Sequence, residues 1–508
     1  MTIRQIGLAL GPLVFALTAL SAPPAGMSGE AWLVAGLVVW MAAWWMTEAV
    51  PLSVTALLPF VALPLGGVMG AKDTASAYYA PILFLLLGGA FIALAIERTG
   101  LHRRLSLAIL KLIGSNGGQG RLLLAFMVSA ALLSMLISNT STSLIMMPMA
   151  LAVLAGGEAA ARRQNAAGAS GLDAELDGAL DGGFDAGLDS GAAPRTTGLS
   201  GALPMGIAFA ASIGGLGTII GSPTNGIAVQ LLDDMIGLKI SFATWMIYGL
   251  PIVIVAIPLA AAIIAWVQKV NADPFDVAAA RASIEDGGAW SSAEKRLVPI
   301  IAIAFGLWMS KRWVAPHLPG DSWTDGTIAV IAALALFILP DGTRENGKAR
   351  ALLSWEEANR APWGVILMFG GGLALAAGMQ ASGLADWLGE ALLPLEVLPL
   401  VLVAMAIVAM VVLVTEFASN VATASAIIPV VAALAAGLGL GEEALLLALP
   451  AAMAASWGFI LPAGTGPNAI AWSTGRLTIP KLLRAGLLLD LAGIVLIVGM
   501  IWGIAALV

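Results

Sequence analysis

Thirteen long apolar runs follow one another along the chain, and they leave little room for a fold that water surrounds. They lie near residues 5–21, 29–47, 50–70, 80–97, 121–154, 203–232, 246–268, 296–311, 326–340, 362–380, 398–436, 447–474 and 482–506. Most have the ~20 residues that a helix needs to cross a hydrocarbon core of about 30 Å. Only 11% of the 508 residues are charged, against about a quarter in soluble domains. The sequence therefore predicts an all-α polytopic membrane protein.

Two of these runs, residues 121–154 and 398–436, are too long for one crossing and carry polar residues in the middle. The first contains "SNTSTS" (138–143), and the second contains the related "SNVATAS" (419–425). Lipid offers such side chains no hydrogen-bond partner, so polar backbone breaks at membrane depth must be buried in protein or line a wet cavity. We therefore predict two re-entrant hairpins with polar tips, in addition to eleven transmembrane helices.

Lys and Arg in short loops mark the cytoplasmic side of a membrane. With both long runs treated as hairpins, four of the 24 Lys and Arg residues fall outside and the remaining 20 fall inside. The four outside are Lys72, Lys239, Lys311 and Arg312. Those inside include Arg98, Arg103, Arg104, Arg121, Arg296, Arg344, Arg360, Arg476 and Arg484. We predict a multi-pass protein of a bacterial inner membrane, with a cytoplasmic N-terminus and a periplasmic C-terminus.

Three pairs of similar segments recur along the chain in the same order. They are "LFLLLGGAFIALAIERTGL" (83–101) with "ILMFGGGLALAAGMQASGL" (366–384), Ser138-Asn139 with Ser419-Asn420, and "GSPTN" (221–225) with "GTGPN" (464–468). By the charge count the two hairpins enter from opposite sides of the membrane. The halves are therefore predicted to be inverted repeats, which is typical of secondary transporters.

These repeats give the predicted domain organisation. Residues 1–28 form a first span outside the repeats, 29–268 the first repeat, 269–295 a cytoplasmic loop and 296–508 the second repeat. The first repeat contains a broken helix at 203–232 and the second contains one at 447–474.

Residues 155–200 form an acidic linker inside the first repeat. A hydrophobic–Asp pair recurs every four residues there, at Asp173, Asp177, Asp181, Asp185 and Asp189. Calcium binding is one interpretation, but the segment lacks the ligand spacing of an EF-hand loop. A solvated, Gly-rich cytoplasmic linker is the preferred interpretation.

The predicted breaks create binding chemistry from the backbone itself. A broken helix leaves unpaired carbonyls at the end of one half and unpaired N–H groups at the start of the next. The carbonyls suit a cation, and the N–H groups, with their partial positive charge, suit an anion. Ser, Thr and Asn at the tips are preferred N-cap residues for a restarting helix. No Lys or Arg lies within the core of a proposed span or hairpin, so an anionic substrate would need co-bound cations, most naturally Na⁺.

Other function classes fit the sequence less well. The chain has no Cys, and its two His residues, His102 and His317, lie in loops, so an intramembrane metal or Ser–His enzyme is not expected. No nucleic-acid partner is predicted. A channel stays open as an alternative, although inverted repeats with two hairpin tips favour a transporter.

The segment "TEAVPLSVTALLP" (47–59), the two tips and the two Pro-Asn breaks together resemble the divalent anion–sodium symporter family, the INDY-type carriers of di- and tricarboxylates or sulfate. The resemblance covers nearly the whole chain. It implies a homodimer in the lipid bilayer, with a scaffold domain at the dimer contact and a transport domain that moves like an elevator. It also implies C4-dicarboxylates, citrate or sulfate as substrates, with two or more co-transported Na⁺ ions.

The same resemblance implies two kinds of site residue. The substrate residues would be Ser138, Asn139, Thr140, Ser222, Pro223, Ser419, Asn420, Val421, Thr465 and Gly466. The first sodium site would comprise Ser134, Ser138, Asn139 and the backbone at Gly221, and the second Thr415, Ala418, Asn420 and the backbone at Gly464. Val421 departs from the family pattern because it removes one hydroxyl from the second tip.

Two questions stay open at the level of sequence. The favoured function is Na⁺-coupled symport of succinate, malate or citrate, and the alternatives are a dicarboxylate or anion exchanger without Na⁺ coupling and a sulfate symporter. Glu416, a carboxylate inside the second hairpin, is a functional candidate or a structural hydrogen-bond partner. Asp490, in the last span, is expected to lie away from the site.

Overall fold

The computed structural model describes residues 2–114, 118–173, 196–272, 274–282, 288–320, 322–345, 348–462 and 464–507. Helices dominate it, as the apolar runs predict. The helices before the first repeated segment are α1 (Ile3–Leu20), α2 (Gly29–Thr47), α3 (Leu52–Thr55), α4 (Leu58–Leu65) and α5 (Ala71–Ala77).

The central part of the chain holds the first hairpin and the first broken helix. Its helices are α6 (Pro81–Thr99), α7 (Leu101–Gly114), α8 (Gln119–Ser134), α9 (Asn139–Asp173), α10 (Gly198–Gly215), α11 (Pro223–Ile236), α12 (Phe242–Gln268) and α13 (Val277–Ala282). The predicted linker at 155–200 is helical in its first part, because α9 continues through Asp173. Asp177, Asp181, Asp185 and Asp189 lie outside the described residues.

The last part of the chain repeats this arrangement. Its helices are α14 (Ser292–Val314), α15 (Asp325–Ile338), α16 (Trp355–Ala358), α17 (Trp363–Ala381), α18 (Leu384–Leu392), α19 (Leu400–Phe417), α20 (Asn420–Gly437), α21 (Ala444–Ala454), α22 (Gly466–Ser473) and α23 (Ile479–Ala505). Short 3₁₀ turns are Ile219–Gly221, Ala315–His317, Leu393–Val397 and Gly441–Glu443. The described residues also include a small antiparallel pair of strands that was not predicted, β1 (Pro340–Glu345) with β2 (Lys348–Ala351).

Eleven helices in the described residues are long and apolar enough to cross a membrane, which is the predicted number. These eleven helices are not all the ones predicted to be spans. The hairpin arms Asn139–Ala161, Leu400–Phe417 and Asn420–Gly437 meet the length requirement, whereas the helices at Leu52–Leu65 and Asp325–Ile338 are shorter. Length and apolarity alone therefore do not separate a hairpin arm from a full crossing.

The two repeats interlock around α10, which is buried along its whole length. The first half of each broken helix packs on a hairpin arm of its own repeat, α10 on α8 and α21 on α19. The second half packs on the hairpin of the other repeat, α11 on α20 and α22 on α9. This exchange brings both tips and both breaks together.

Apolar side chains on the outer helices are exposed, as expected of a surface that faces lipid. Examples on α12, α14 and α23 are Ile254, Ile303 and Val495, each more than half exposed. A second, smaller core joins α2, α4 and α17 around Trp45, Leu63 and Leu375.

Candidate functional site

One cavity of about 470 Å³ lies where the two tips and the two breaks meet. All ten residues predicted to touch substrate line it: Ser138, Asn139, Thr140, Ser222, Pro223, Ser419, Asn420, Val421, Thr465 and Gly466. Thr224, which was not predicted, also lines the cavity and has a fully buried hydroxyl without a hydrogen-bond partner in the described part of the chain. The structure thus brings the predicted set together, while binding itself stays a prediction.

The opposite wall of the cavity is apolar and comes from α6 and α17. Leu86, Ala90 and Leu94 contribute from α6, and Val365 and Ile366 contribute from α17. These helices carry the first pair of repeated segments. The cavity therefore has a polar floor and an apolar wall, a combination that suits a small molecule with charged ends and a hydrocarbon middle.

Four helices begin at the cavity: α9 at Asn139, α11 at Pro223, α20 at Asn420 and α22 at Gly466. Ser419 Oγ accepts the backbone N–H of Ala422 at 3.2 Å, and Thr465 Oγ1 accepts that of Asn468 at 3.2 Å, as N-caps do. At the first tip, Ser138 Oγ accepts the N–H of Ser141 at 3.2 Å. Four helix N-termini with partial positive charge converge here, which favours an anion.

Ser222 differs from the other three N-caps. It precedes α11, but its side chain makes no capping hydrogen bond. Its hydroxyl is therefore available to a ligand, and Ser222 is 3% exposed.

A cluster of oxygen atoms lies behind the first tip. Ser134 Oγ is 2.7 Å from Asn139 Oδ1 and 2.7 Å from the carbonyl oxygen of Ala211. A single hydroxyl hydrogen can serve only one of these two acceptors. Asn139 Oδ1 also faces the Gly221 carbonyl, and only a turned amide would let Nδ2 donate to Gly221 O at 3.2 Å and Ala211 O at 3.1 Å. Without that turn, the oxygens converge as ligands of a hard cation do.

The second repeat has a matching cluster. Thr415 Oγ1 lies 2.9 Å from Asn420 Oδ1 and 2.8 Å from the carbonyl oxygen of Ala455. Again one hydroxyl hydrogen faces two acceptors, and Thr415 is fully buried. The correspondence of Ser134 with Thr415 and of Asn139 with Asn420 follows the sequence repeat. The clusters add two carbonyl groups that the sequence analysis missed, those of Ala211 and Ala455.

The remaining predicted cation residues lie close by. Gly221 and Gly464 flank the breaks, and a Cβ at Gly464 would lie 3.2 Å from the Glu416 carbonyl oxygen. Ala418, 7% exposed, has extended backbone between α19 and α20. Ser138 differs from the others, since its Oγ bonds to Ser141 rather than to the first oxygen cluster.

Asn225 and Asn468, which pair in the repeat, hold the breaks in shape. Asn225 Nδ2 donates to the carbonyl oxygens of Gly215 at 2.7 Å and Thr218 at 2.8 Å. Asn468 Nδ2 donates to Leu461 O at 3.1 Å. Both side chains thereby satisfy carbonyls that the interrupted helices leave unpaired.

Glu416 binds the backbone of the second break. Its Oε1 accepts the N–H of Ile460 at 2.9 Å, and its Oε2 accepts that of Leu461 at 3.0 Å. The carboxylate is 2% exposed. Of the two roles left open for Glu416, the structure supports the structural one, since both oxygens hold backbone.

Asp490 does not line the cavity, but it lies behind the second break. Asp490 is 3% exposed on α23 and lies beside Glu416 and the backbone of Phe459. α23 packs directly on the second break, where Trp457 Nε1 donates to Leu489 O at 3.2 Å. Sequence reasoning missed this contact because it depends on tertiary packing between distant segments.

Close packing joins the first tip to the second break. A Cβ at Gly466 would overlap Thr140 Oγ1, and a Cβ at Gly215 would overlap Asn139 Oδ1. Glycine at these two positions lets the backbone of each break approach the first tip. The two repeats therefore form one site.

A sequence model of the sodium:sulfate symporter transmembrane region matches residues 5–508. The chain belongs to this family. Membership of the sodium:sulfate symporter family confirms the resemblance drawn from the tips and breaks. It also confirms that the chain is a membrane transporter rather than an enzyme.

Relatives in the sodium:sulfate symporter family match over nearly full length. The sodium-dependent dicarboxylate transporter SdcS of Staphylococcus saprophyticus is 37% identical over 499 residues, covering 97% of this chain and 90% of the relative. SdcS of Staphylococcus aureus strain MRSA252 is 36% identical over 512 residues, covering 99% of this chain and 92% of that relative.

A solved structure supports the fold. The crystal structure of the Alcanivorax borkumensis YdaH transporter matches with a TM-score of 0.51 at 15% identity, covering 98% of this chain and 96% of that one. At this identity the likeness concerns the fold alone.

Proposed function

We propose that the chain is a sodium-coupled symporter of divalent organic anions, C4-dicarboxylates such as succinate or malate and also citrate. The observation that carries the proposal is the cavity itself, in which four helix N-termini meet between two clusters of oxygen atoms. The names of the relatives, sodium-dependent dicarboxylate transporters, support the same conclusion.

The anion is bound by neutral groups. Helix N-termini at Asn139, Pro223, Asn420 and Gly466 supply N–H groups, and the Ser222 and Thr224 hydroxyls add further donors. A carboxylate at each end of the substrate would meet one pair of N-termini, and its carbon chain would lie against α6 and α17. Val421 at the second tip and Thr140 at the first make the two ends unequal.

Sodium supplies the missing positive charge. An unpaired dianion in a low-dielectric site costs many kcal/mol unless cations or hydrogen bonds compensate it. We infer one Na⁺ at the cluster of Ser134, Asn139, Ala211 and Gly221, and one at the cluster of Thr415, Asn420 and Ala455 with the backbone near Ala418 and Gly464. Two Na⁺ ions neutralise a dianion.

The tips couple the two kinds of ligand. The side-chain amides of Asn139 and Asn420 each lie at an oxygen cluster, while the backbone of each residue begins a helix at the cavity. A cation that fixes the side chain also fixes the helix N-terminus that receives the anion. Sodium and anion therefore strengthen each other's binding, which is the thermodynamic requirement for symport.

The proposal includes the movement and assembly that the family resemblance implies. The tips and breaks would move as one body against the wall of α6 and α17, in an elevator mechanism. The chain would act as a homodimer in the bacterial inner membrane, with its N-terminus cytoplasmic and its C-terminus periplasmic.

Uptake of radiolabelled succinate into proteoliposomes tests the proposal. We expect uptake driven by an inward Na⁺ gradient, little uptake when K⁺ replaces Na⁺, and loss of Na⁺ dependence in Asn139→Ala and Asn420→Ala. Asn271→Ala, at an exposed position distant in sequence, is the matched control and should transport as the unaltered chain does. Uptake that ignores Na⁺ and requires an internal anion would overturn symport and establish exchange.

A competition assay with a panel of candidate anions identifies the preferred substrate. Succinate, malate, citrate, tartrate and sulfate are each offered as competitors of succinate uptake at a fixed Na⁺ concentration. Dicarboxylates should compete best, because the apolar wall between the polar ends suits a carbon chain and offers nothing to sulfate. Stronger competition by sulfate would overturn the dicarboxylate assignment and leave Na⁺ coupling standing.

A further inference from the structure

We propose that Arg360 is a second, transient binding position for the anion, at the mouth of the cavity, and that Glu97 regulates its strength. This inference rests on the proposed function for the identity of the anion. Of the described residues that line the cavity, only Glu97 and Arg360 are charged. Glu97 lies near the end of α6, and Arg360 lies between α16 and α17. A dianion approaching the neutral tips therefore meets one cationic side chain on its path.

The ion pair between the two residues is loose. Arg360 Nη1 lies 3.6 Å from Glu97 Oε1, and the side chains are 56% and 36% exposed. An exposed pair of this kind contributes about 0–1 kcal/mol. An arriving carboxylate can thus replace Glu97 at little cost, and it gains the planar, two-pronged contact that guanidinium offers to carboxylates.

The neighbouring Arg98 makes several polar contacts and has a structural role. Its side chain is 13% exposed and contacts Asp341, Glu357 at 2.9 Å, and the carbonyl oxygen of Ala351 at 2.9 Å. Arg98 does not line the cavity. It ties the end of α6 to α16, the helix whose Glu357 carbonyl accepts the N–H of Arg360 at 3.2 Å. This tie holds Arg360 opposite Glu97.

The two charges have opposite effects on a passing anion. Arg360 raises the local concentration of anions at the mouth, since a charged wall beside a low-dielectric cavity focuses the field. Glu97 competes for the guanidinium and repels the anion, which keeps the position weak enough for release. Because Arg98 and Arg360 lie on the side predicted to be cytoplasmic, the effect should concern exchange with the cytoplasm and not with the opposite side.

A labelling experiment tests the electrostatic part without any transport. The chain has no Cys, so Val365→Cys places a single thiol on the cavity wall near Arg360. The rates of modification by an anionic and by a cationic methanethiosulfonate give a ratio that reports the local potential. We expect Arg360→Gln to lower the anionic-to-cationic ratio about threefold to tenfold, and Glu97→Gln to raise it. Arg344→Gln, which removes an exposed charge outside the cavity, should leave the ratio unchanged.

Sided transport tests the functional part. In membrane vesicles of both orientations, Arg360→Gln should raise the half-saturating succinate concentration on the cytoplasmic side about threefold to tenfold and leave the other side unchanged. Glu97→Gln should lower it, and most of that effect should vanish when Arg360→Gln is also present. Added inert salt should shrink both effects, because exposed charges are screened.

The outcomes separate this inference from the proposed function. A labelling ratio in Arg360→Gln equal to that in Arg344→Gln overturns the inference, as do equal changes of half-saturation on both sides. If the labelling ratios shift as expected while the unaltered chain shows no Na⁺-driven dicarboxylate uptake, the proposed function fails and Arg360 stands as an anion position.

Discussion

Thr415→Val tests the second sodium site most sharply, because it keeps the shape of the side chain and removes only the hydroxyl. Thr415 Oγ1 lies 2.9 Å from Asn420 Oδ1 and 2.8 Å from the Ala455 carbonyl oxygen, and the residue is fully buried. The substitution removes one oxygen from the cation site and leaves two buried acceptors without that hydroxyl.

The expected magnitude follows from these contacts. The loss of one polar contact to a buried charged group costs about 1.5–3 kcal/mol. Since about 1.4 kcal/mol corresponds to a factor of ten in an equilibrium constant, the half-saturating Na⁺ concentration should rise roughly tenfold to a hundredfold. Maximal uptake at saturating Na⁺ should fall much less, because the substitution leaves the cavity lining intact.

The assay is the Na⁺ dependence of succinate uptake and of thermal stability, measured on the same preparations. Thr423→Val is the matched control, since Thr423 is 2% exposed and its hydroxyl has no hydrogen-bond partner in the described part of the chain. Ser134→Ala should behave like Thr415→Val, with Ser143→Ala as its control for the same reason. A Thr415→Val protein with the Na⁺ dependence of Thr423→Val would refute the assignment of this site.

Three further substitutions probe the breaks. Gly466→Ala should reduce uptake at least about tenfold, because its Cβ would overlap Thr140 Oγ1, whereas Gly503→Ala, which has open space around it, should be neutral in the same uptake assay. Glu416→Gln should lower the melting temperature and uptake, since an amide cannot accept both N–H groups of Ile460 and Leu461 as a carboxylate does. Glu442→Gln, at an exposed position, is the control, and equal melting temperatures of the two variants would contradict the structural role of Glu416. Asp490→Leu should raise the melting temperature, because both carboxyl oxygens of Asp490 are buried and have no hydrogen-bond partner in the described part of the chain, and a lower value would contradict this reasoning.

Sequence reasoning reached the centre of the site because lipid restricts what polar residues can do. Polar segments such as "SNTSTS" and "GSPTN" inside apolar runs favour a hairpin tip and a helix break. The similar segments in the second repeat show which residues correspond to them. The structure accordingly gathers all ten predicted substrate residues at one cavity.

Backbone ligands and tertiary contacts leave no pattern in the sequence from which they could be predicted. The carbonyl groups of Ala211 and Ala455 join the oxygen clusters although alanine is an ordinary helix residue. Asp490 meets Glu416 through the packing of α23, and Arg360 reaches the cavity mouth from a loop. The sequence also could not predict which helices are the eleven long ones, since hairpin arms are as apolar as transmembrane spans.

The central claim is that sodium and the anion bind as a coupled pair, and the most direct test is the affinity of the purified full chain for succinate. We expect Na⁺ to raise that affinity at least about tenfold over K⁺, and succinate to raise the affinity for Na⁺ by the same factor, because linkage is reciprocal. Asn139→Ala and Asn420→Ala should each remove the difference between Na⁺ and K⁺. Equal affinity for succinate in Na⁺ and in K⁺ would contradict the account.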